Sequence, residues 1–111
     1  MAQNFRRYTE NNVGTSAVDI PDGSNFDSYD AIVGISLANV GSSAINVDCY
    51  INDGSNDIYL VKDAPIPTGG ASQVLDGGAK IVVQSGDRLY VKSNTASSFD
   101  AWVSVVDAIS T

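Results

Sequence analysis

The sequence predicts a single all-β domain, and three observations carry that prediction. The apolar residues are Val, Ile, Ala and Tyr more than Leu, Met or Phe, and branched and aromatic side chains suit a pleated, half-buried surface. Short runs of this kind recur about every ten residues between clusters of Gly, Asp, Asn and Ser, the spacing of a β-sandwich or small barrel. No segment shows helical periodicity. With 111 residues, 43% hydrophobic and 17% charged, the chain has a folded composition and enough length for one core. The expected architecture is one Ig-like or jelly-roll-like β-sandwich of about eight short antiparallel strands with an N-terminal arm.

Residues 1–14 are set apart as an arm or edge segment, and residues 15–111 as the sandwich. Phe5-Arg6-Arg7-Tyr8 combines two aromatics with the only adjacent basic pair. One reading is an ordinary edge strand. The other is an arm reaching onto a neighbouring acidic subunit, where Arg forks bind carboxylates and aromatics fill pockets. Strands are then predicted over 15–20, 29–39, 44–52, 57–62, 71–75, 80–84, 88–93 and 99–109, with turns at 21–24, 41–43, 53–56, 67–70, 76–78 and 85–87.

The clearest local unit is the hairpin through Asp53-Gly54-Ser55-Asn56, which pairs residues whose numbers sum to 109. That register sets Ile51 opposite Ile58 and Cys49 opposite Leu60 on the inner face, with Val47 further along. Asn52, Tyr50 and Asp48 then face outward across from Asp57, Tyr59 and Val61. By the same alternation Leu89 and Val91 point inward, and Arg88, Tyr90 and Lys92 outward. Phe99, Ala101, Val103 and Val105 line one side of the last strand and Trp102 and Val106 the other. A strand apolar on both faces is central or covered by a neighbour, so this strand is a candidate interface as well as core.

Charge narrows the partners. The net charge is -7 and the pI about 4.1, which argues against nucleic acid, whose phosphates are bound by clustered Lys and Arg. Cys49 is the only cysteine, so no disulfide within the chain is possible. The N-terminus lacks the apolar stretch of a signal peptide, and no apolar run approaches the ~18 residues of a membrane span. There is no Asn-x-Ser/Thr sequon. A soluble protein made in the cytoplasm, without membrane or nucleic-acid partners, is expected.

Chemistry-bearing residues are sparse. The chain has no His, which removes the commonest general base and zinc ligand. Cys49 reads as a buried strand residue, not an activated nucleophile. Several carboxylates, such as Asp22, Asp53, Asp76 and Asp87, sit beside Gly in turns, where Asp side chains bond the local backbone. A glycosidase-like acid pair would need a cleft that a sandwich of this size has little room for. Asp22, Asp27 and Asp30, or Asp53 and Asp57, are conceivable calcium ligands, but neither set matches a known loop pattern. The glycines at 69–70 and 77–78 are turns and not phosphate loops, because no Lys-Ser/Thr or helix follows. Tyr50 and Tyr59, paired on the outer face of the hairpin, are either sheet stabilisers or an aromatic platform for a sugar or a protein. No catalytic, cofactor or metal residue is assigned, and the chain reads as a binding or assembly part, not an enzyme.

The stretch from Asn46-Val47-Asp48-Cys49-Tyr50-Ile51-Asn52-Asp53-Gly54 through Tyr59-Leu60-Val61-Lys62-Asp63-Ala64-Pro65-Ile66-Pro67, followed by Gly86-Asp87-Arg88-Leu89-Tyr90-Val91-Lys92-Ser93, resembles a family of small virion proteins of tailed phages, cyanophages especially. The opening Asn4-Phe5-Arg6-Arg7-Tyr8 and Asn12-Val13-Gly14-Thr15 are similar too, so the resemblance covers most of the chain. It implies an Ig-like sandwich with a structural role on the particle and no catalytic residues. The acidic stretch 19–27 is longer than that family leads one to expect.

The leading expectation is therefore a capsid decoration, or cement, protein that binds the major capsid protein or other virion proteins and touches its own copies on the particle. Phe5, Arg6, Arg7, Tyr8, Tyr50, Tyr59 and Trp102 are the candidate interface residues, because aromatic and Arg anchors dominate such contacts. The alternative is a neck, tail or fibre accessory protein with a receptor- or glycan-binding role. A non-viral adhesion domain of similar fold is a third reading.

Overall fold

A computed structural model describes residues 4–20, 26, 30–75 and 80–107. Among them there is no helix; the strands are β1 (Asn4–Val13), β2 (Val18–Ile20), β3 (Ala31–Asn39), β4 (Ile45–Asn52), β5 (Asp57–Ile66), β6 (Ala71–Leu75), β7 (Ile81–Val82), β8 (Arg88–Ser93) and β9 (Phe99–Asp107). They form two antiparallel sheets. Sheet A runs β1-β9-β3-β6, with β7 also on β3, and sheet B runs β2-β8-β4-β5.

The pairing is nested. β1 pairs with β9, β2 with β8, β3 with β6 and β4 with β5, as if one long hairpin had been wrapped around itself. This is the jelly-roll arrangement of the two that the sequence leaves open; an Ig-like sandwich groups its strands differently. The wrapping follows from the alternation. Each strand has one apolar side, and those sides close on one another: Ile20, Ile35, Leu37, Val47, Cys49, Leu89, Val91, Phe99 and Val103 are all within 1% of full burial. Fully burying a side chain of this size stabilises by about 1.5–3 kcal/mol.

The predicted strands shift in detail. Residues 4–13, read as arm or edge segment, are the edge strand β1, paired with β9 from Asn4 to Glu10 and again at Val13. The strand expected over 57–62 continues to Ile66, and the one expected over 80–84 shortens to Ile81–Val82. Residues 29, 108 and 109, the turn at 21–24 and Gly77 and Gly78 lie outside the described residues.

The hairpin β4–β5 keeps its predicted register at Asn52↔Asp57, Ile51↔Ile58 and Tyr50↔Tyr59, and then departs from it. Cys49 faces Val61, not Leu60, and Val47 faces Ala64. The edge strand breaks register twice, first between Tyr59 and Val61 and again between Val61 and Ala64, where Asp63 sits at φ 52 and its N–H donates to the Asp48 carboxylate at 2.7 Å. An extra residue on one strand reverses the facing of everything beyond it, so Val61, expected outside, packs against the core together with Leu60. Ile58, expected inside, is about half exposed.

The turn itself is closed by side chains. Asp53 accepts from the Ser55 and Asn56 backbones at 3.0 and 2.8 Å, and Gly54 takes φ 100, a conformation that costs glycine little. These hydrogen bonds hold the Asp53 carboxyl below its ordinary range. A group lowered on folding contributes stability above its unfolded pKa of about 3.9 and loses it as the pH falls through the folded value. Titration of Asp53 followed by NMR is expected to show the Ser55 and Asn56 amides moving with the same low midpoint. A midpoint at or above about 3.9 would mean that the turn does not use the carboxylate.

One buried polar residue joins the sheets. Asn39, at the end of β3 in sheet A, is 5% exposed. Its Nδ2 donates to the Ser43 carbonyl at 2.8 Å and to the Ile66 carbonyl, in sheet B, at 3.1 Å, while its Oδ1 accepts from the Gly41 N–H at 2.9 Å.

Candidate interaction faces

The alternation that builds the core also decides what each sheet presents outward. On sheet B the outward row Asp19, Tyr90, Tyr50, Tyr59 crosses four strands, since Asp19 pairs Tyr90, Tyr90 pairs Tyr50 and Tyr50 pairs Tyr59. The Tyr50 ring centroid lies 5.3 Å from that of Tyr90, nearly parallel, and 5.0 Å from that of Tyr59 at a tilt of 42°. Aromatic pairs in such geometries stabilise by about 0.5–1.5 kcal/mol beyond their burial. Charges bracket the row: Arg88 lies 3.2 Å from Asp19, Lys92 3.9 Å from Asp48, and Lys62 Nζ 4.5 Å from the Tyr59 ring centre. Asn52 donates to Asp57 at 2.8 Å.

Tyr50, in the middle, is only 8% exposed, and burial first, then Asp57, raises its pKa above the ordinary tyrosine value. Its ring faces are taken by its neighbours. Tyr59, at the end of the row, is 38% exposed. The platform of Tyr50 and Tyr59 is a three-tyrosine ladder whose third member, Tyr90, was legible as an outward residue but not as their neighbour.

Sheet A is different. Phe5, Arg7 and Thr9 point outward from β1, and beside them in register stand Val106, Ser104 and Trp102 of β9. Trp102 continues the row to Ser36 of β3, which pairs Gln73 of β6. Phe5 is 80% exposed and Trp102 52%, and the Arg7 guanidinium lies 5.3 Å from the centre of the indole, a cation–π contact. Beside Trp102 is a recess of about 480 Å³ open to solvent, lined by Thr9, Glu10, Asn11, Ser36, Ala38 and Asp100. Trp102 itself lines the recess. At the far end the chain bulges at Asn12, φ 53, whose N–H donates to Asp100 Oδ1 at 2.9 Å.

The seven candidate residues thus do not form one surface. Phe5, Arg7 and Trp102 share the outer face of sheet A, and Tyr50 and Tyr59 lie on the opposite face of the molecule. Arg6 and Tyr8 alternate to the inner side of β1, where Tyr8 packs against the core. Of the proposed calcium ligands, Asp22 and Asp27 lie outside the described residues, while the Asp53 and Asp57 carboxylates are engaged in the hairpin. No group of three or more His, Cys, Asp or Glu gathers among the described residues.

Cys49 is fully buried, and desolvation pushes its thiol up to about 12. Because the thiolate is the reactive form, the native chain is expected to leave an aromatic disulfide reagent at mildly alkaline pH uncoloured for hours and to release one equivalent of chromophore when unfolded. Fast labelling of the native protein would contradict its burial.

The class defined by these features is a jelly-roll β-sandwich. Comparison of the chain with protein-family models, with curated proteins and with solved structures returns no match.

Proposed function

We propose that this chain is a structural protein of a tailed-phage virion, a capsid decoration protein that binds coat subunits through the outer face of sheet A. The observation that carries the choice of face is the run Phe5–Arg7–Trp102, two exposed aromatics with an arginine between them on one rigid pair of strands. Trp, aromatic and Arg side chains are the residues that anchor protein interfaces. The virion assignment is supported by the sequence resemblance, and jelly rolls also build viral capsid domains, although a fold alone assigns no function. An interface of ordinary size buries about 1,200–2,000 Å² in total.

Deleting residues 1–8 would remove most of β1, so point variants are the proper test. Purified protein is added to heads that lack it, at two salt concentrations. Saturable binding is expected, with Phe5→Ala and Trp102→Ala each weakening it by about thirtyfold, the effect of losing a central anchor, and Arg7→Ala flattening its salt dependence. Tyr59→Ala is expected to stay within about threefold of the parent, as peripheral contacts do. Equal binding by the Trp102 variant would remove sheet A from the interface.

The recess beside Trp102 favours a second reading, a neck, tail or fibre accessory protein with a glycan-binding role. An indole wall with carboxylate and amide groups at its rim suits a neutral sugar. Recovery of the protein on tails or host glycans instead of heads would select it.

A further inference from the structure

Exposed strand edges invite pairing with other chains, and folded proteins blunt them with short strands, bulges, prolines and charges. Sheet B ends in β2, three residues long, and in β5, which breaks register twice and carries Asp63 at φ 52 and Pro65. The far side of β3 is divided between the short strands β6 and β7. β1 differs. Among the described residues it pairs with β9 alone, in unbroken register from Asn4 to Glu10, and contains no proline.

We propose that β1 is the two-fold interface of a homodimer, in which β1 of one copy pairs antiparallel with β1 of a second copy about Tyr8. The strand's own sequence selects that register. Centred on Tyr8, the pairing sets Arg6 opposite Glu10 of the second copy, and by symmetry does so twice, with Arg7 opposite Thr9. Centred on Arg7 it would oppose two arginines, and centred on Thr9 it would run into the bulge between Glu10 and Val13. Opposite charges directly across an antiparallel pair attract and like charges repel, so one register is favoured and its neighbour penalised. An isologous contact of this kind closes on itself and leaves no further edge at β1. Sheet A becomes continuous across the dimer, with both Phe5–Arg7–Trp102 runs on the same side of it. The pairing is independent of the virion reading, since it rests on the edge alone.

Sedimentation of the purified full chain tests this. The parent is expected at twice the 11.6 kDa chain mass. Arg6→Glu sets a carboxylate against that of Glu10, and Glu10→Arg sets a guanidinium against that of Arg6, so each alone is expected to weaken dimerisation at least about tenfold. An equimolar mixture of the two variants restores opposite charges across the pair and is expected to recover the dimer. A parent that stays monomeric at its highest soluble concentration overturns the proposal, as do a dimer that both variants leave intact and two folded variants whose mixture stays monomeric. Should either variant fail to fold, Tyr8→Cys replaces it. Residues directly opposed in antiparallel strands have Cα atoms about 4.5–5.5 Å apart, within disulfide reach, so mild oxidation is expected to link two copies through position 8. Absence of that link in a folded Tyr8→Cys chain rejects the register.

Discussion

Phe99→Ala is expected to lower the unfolding free energy by about 3–5 kcal/mol, the range for removing a large aromatic from a packed core. Phe99 is fully buried at the start of β9, opposite Val13 of β1 and Asn39 of β3. It therefore sits where the strand central to sheet A meets the corner that carries the chain into sheet B. Domains of this size have about 5–15 kcal/mol of total stability, so the loss takes a large fraction of the whole. Urea unfolding followed by the fluorescence of Trp102, the chain's single tryptophan, reads the midpoint. Phe99→Leu, which keeps most of the volume, is expected to lose less than half as much. A Phe99→Ala midpoint within error of the parent would mean that the core is not closed at this end.

Asn39→Asp is expected to cost about 3 kcal/mol or more with almost no change in shape. The side-chain amide donates to two carbonyls; a carboxylate there turns two hydrogen bonds into two repulsions and buries a charge. The penalty is expected to shrink as the pH falls and the new carboxyl protonates, because the neutral acid can donate one hydrogen bond. Unfolding curves at neutral and at mildly acid pH, with the parent as reference, check both the size and the sign. A variant whose deficit is small and independent of pH would show that Asn39 does not bind the two sheets.

What the sequence made legible was the local part of the fold. Period-two alternation identified the inner faces of β4, β8 and β9, because one wrong step would move every apolar residue into water. Turn chemistry located the Asp53–Asn56 loop. The bulge at Asp63 was not legible, since it is stabilised by Asp48 fifteen residues earlier, through a contact that exists only once the strands have paired. For the same reason Tyr90 was seen as outward but not as part of the tyrosine row. β8 reaches β4 through the nested wrapping, and no local turn announces that pairing. The role of Asn39 had no sequence signal, because it depends on Ile66 arriving from the other sheet. Trp102 and Phe5 were both identified as contact candidates, but only the pairing of β1 with β9 places them on one face, with Tyr50 and Tyr59 on the other. The recess beside Trp102 had no sequence signal, because its lining comes from three strands that are distant in the chain.

The role proposed for this sandwich is adhesion to the outside of a phage head through the Phe5–Arg7–Trp102 face. Electron cryo-microscopy of purified virions, with particles lacking the protein as the control, tests it most directly. Difference density of jelly-roll size is expected to repeat on the outer surface of the head shell, with the outer face of sheet A turned toward the coat. Density confined to the neck or tail, or particles identical with and without the protein, would contradict it.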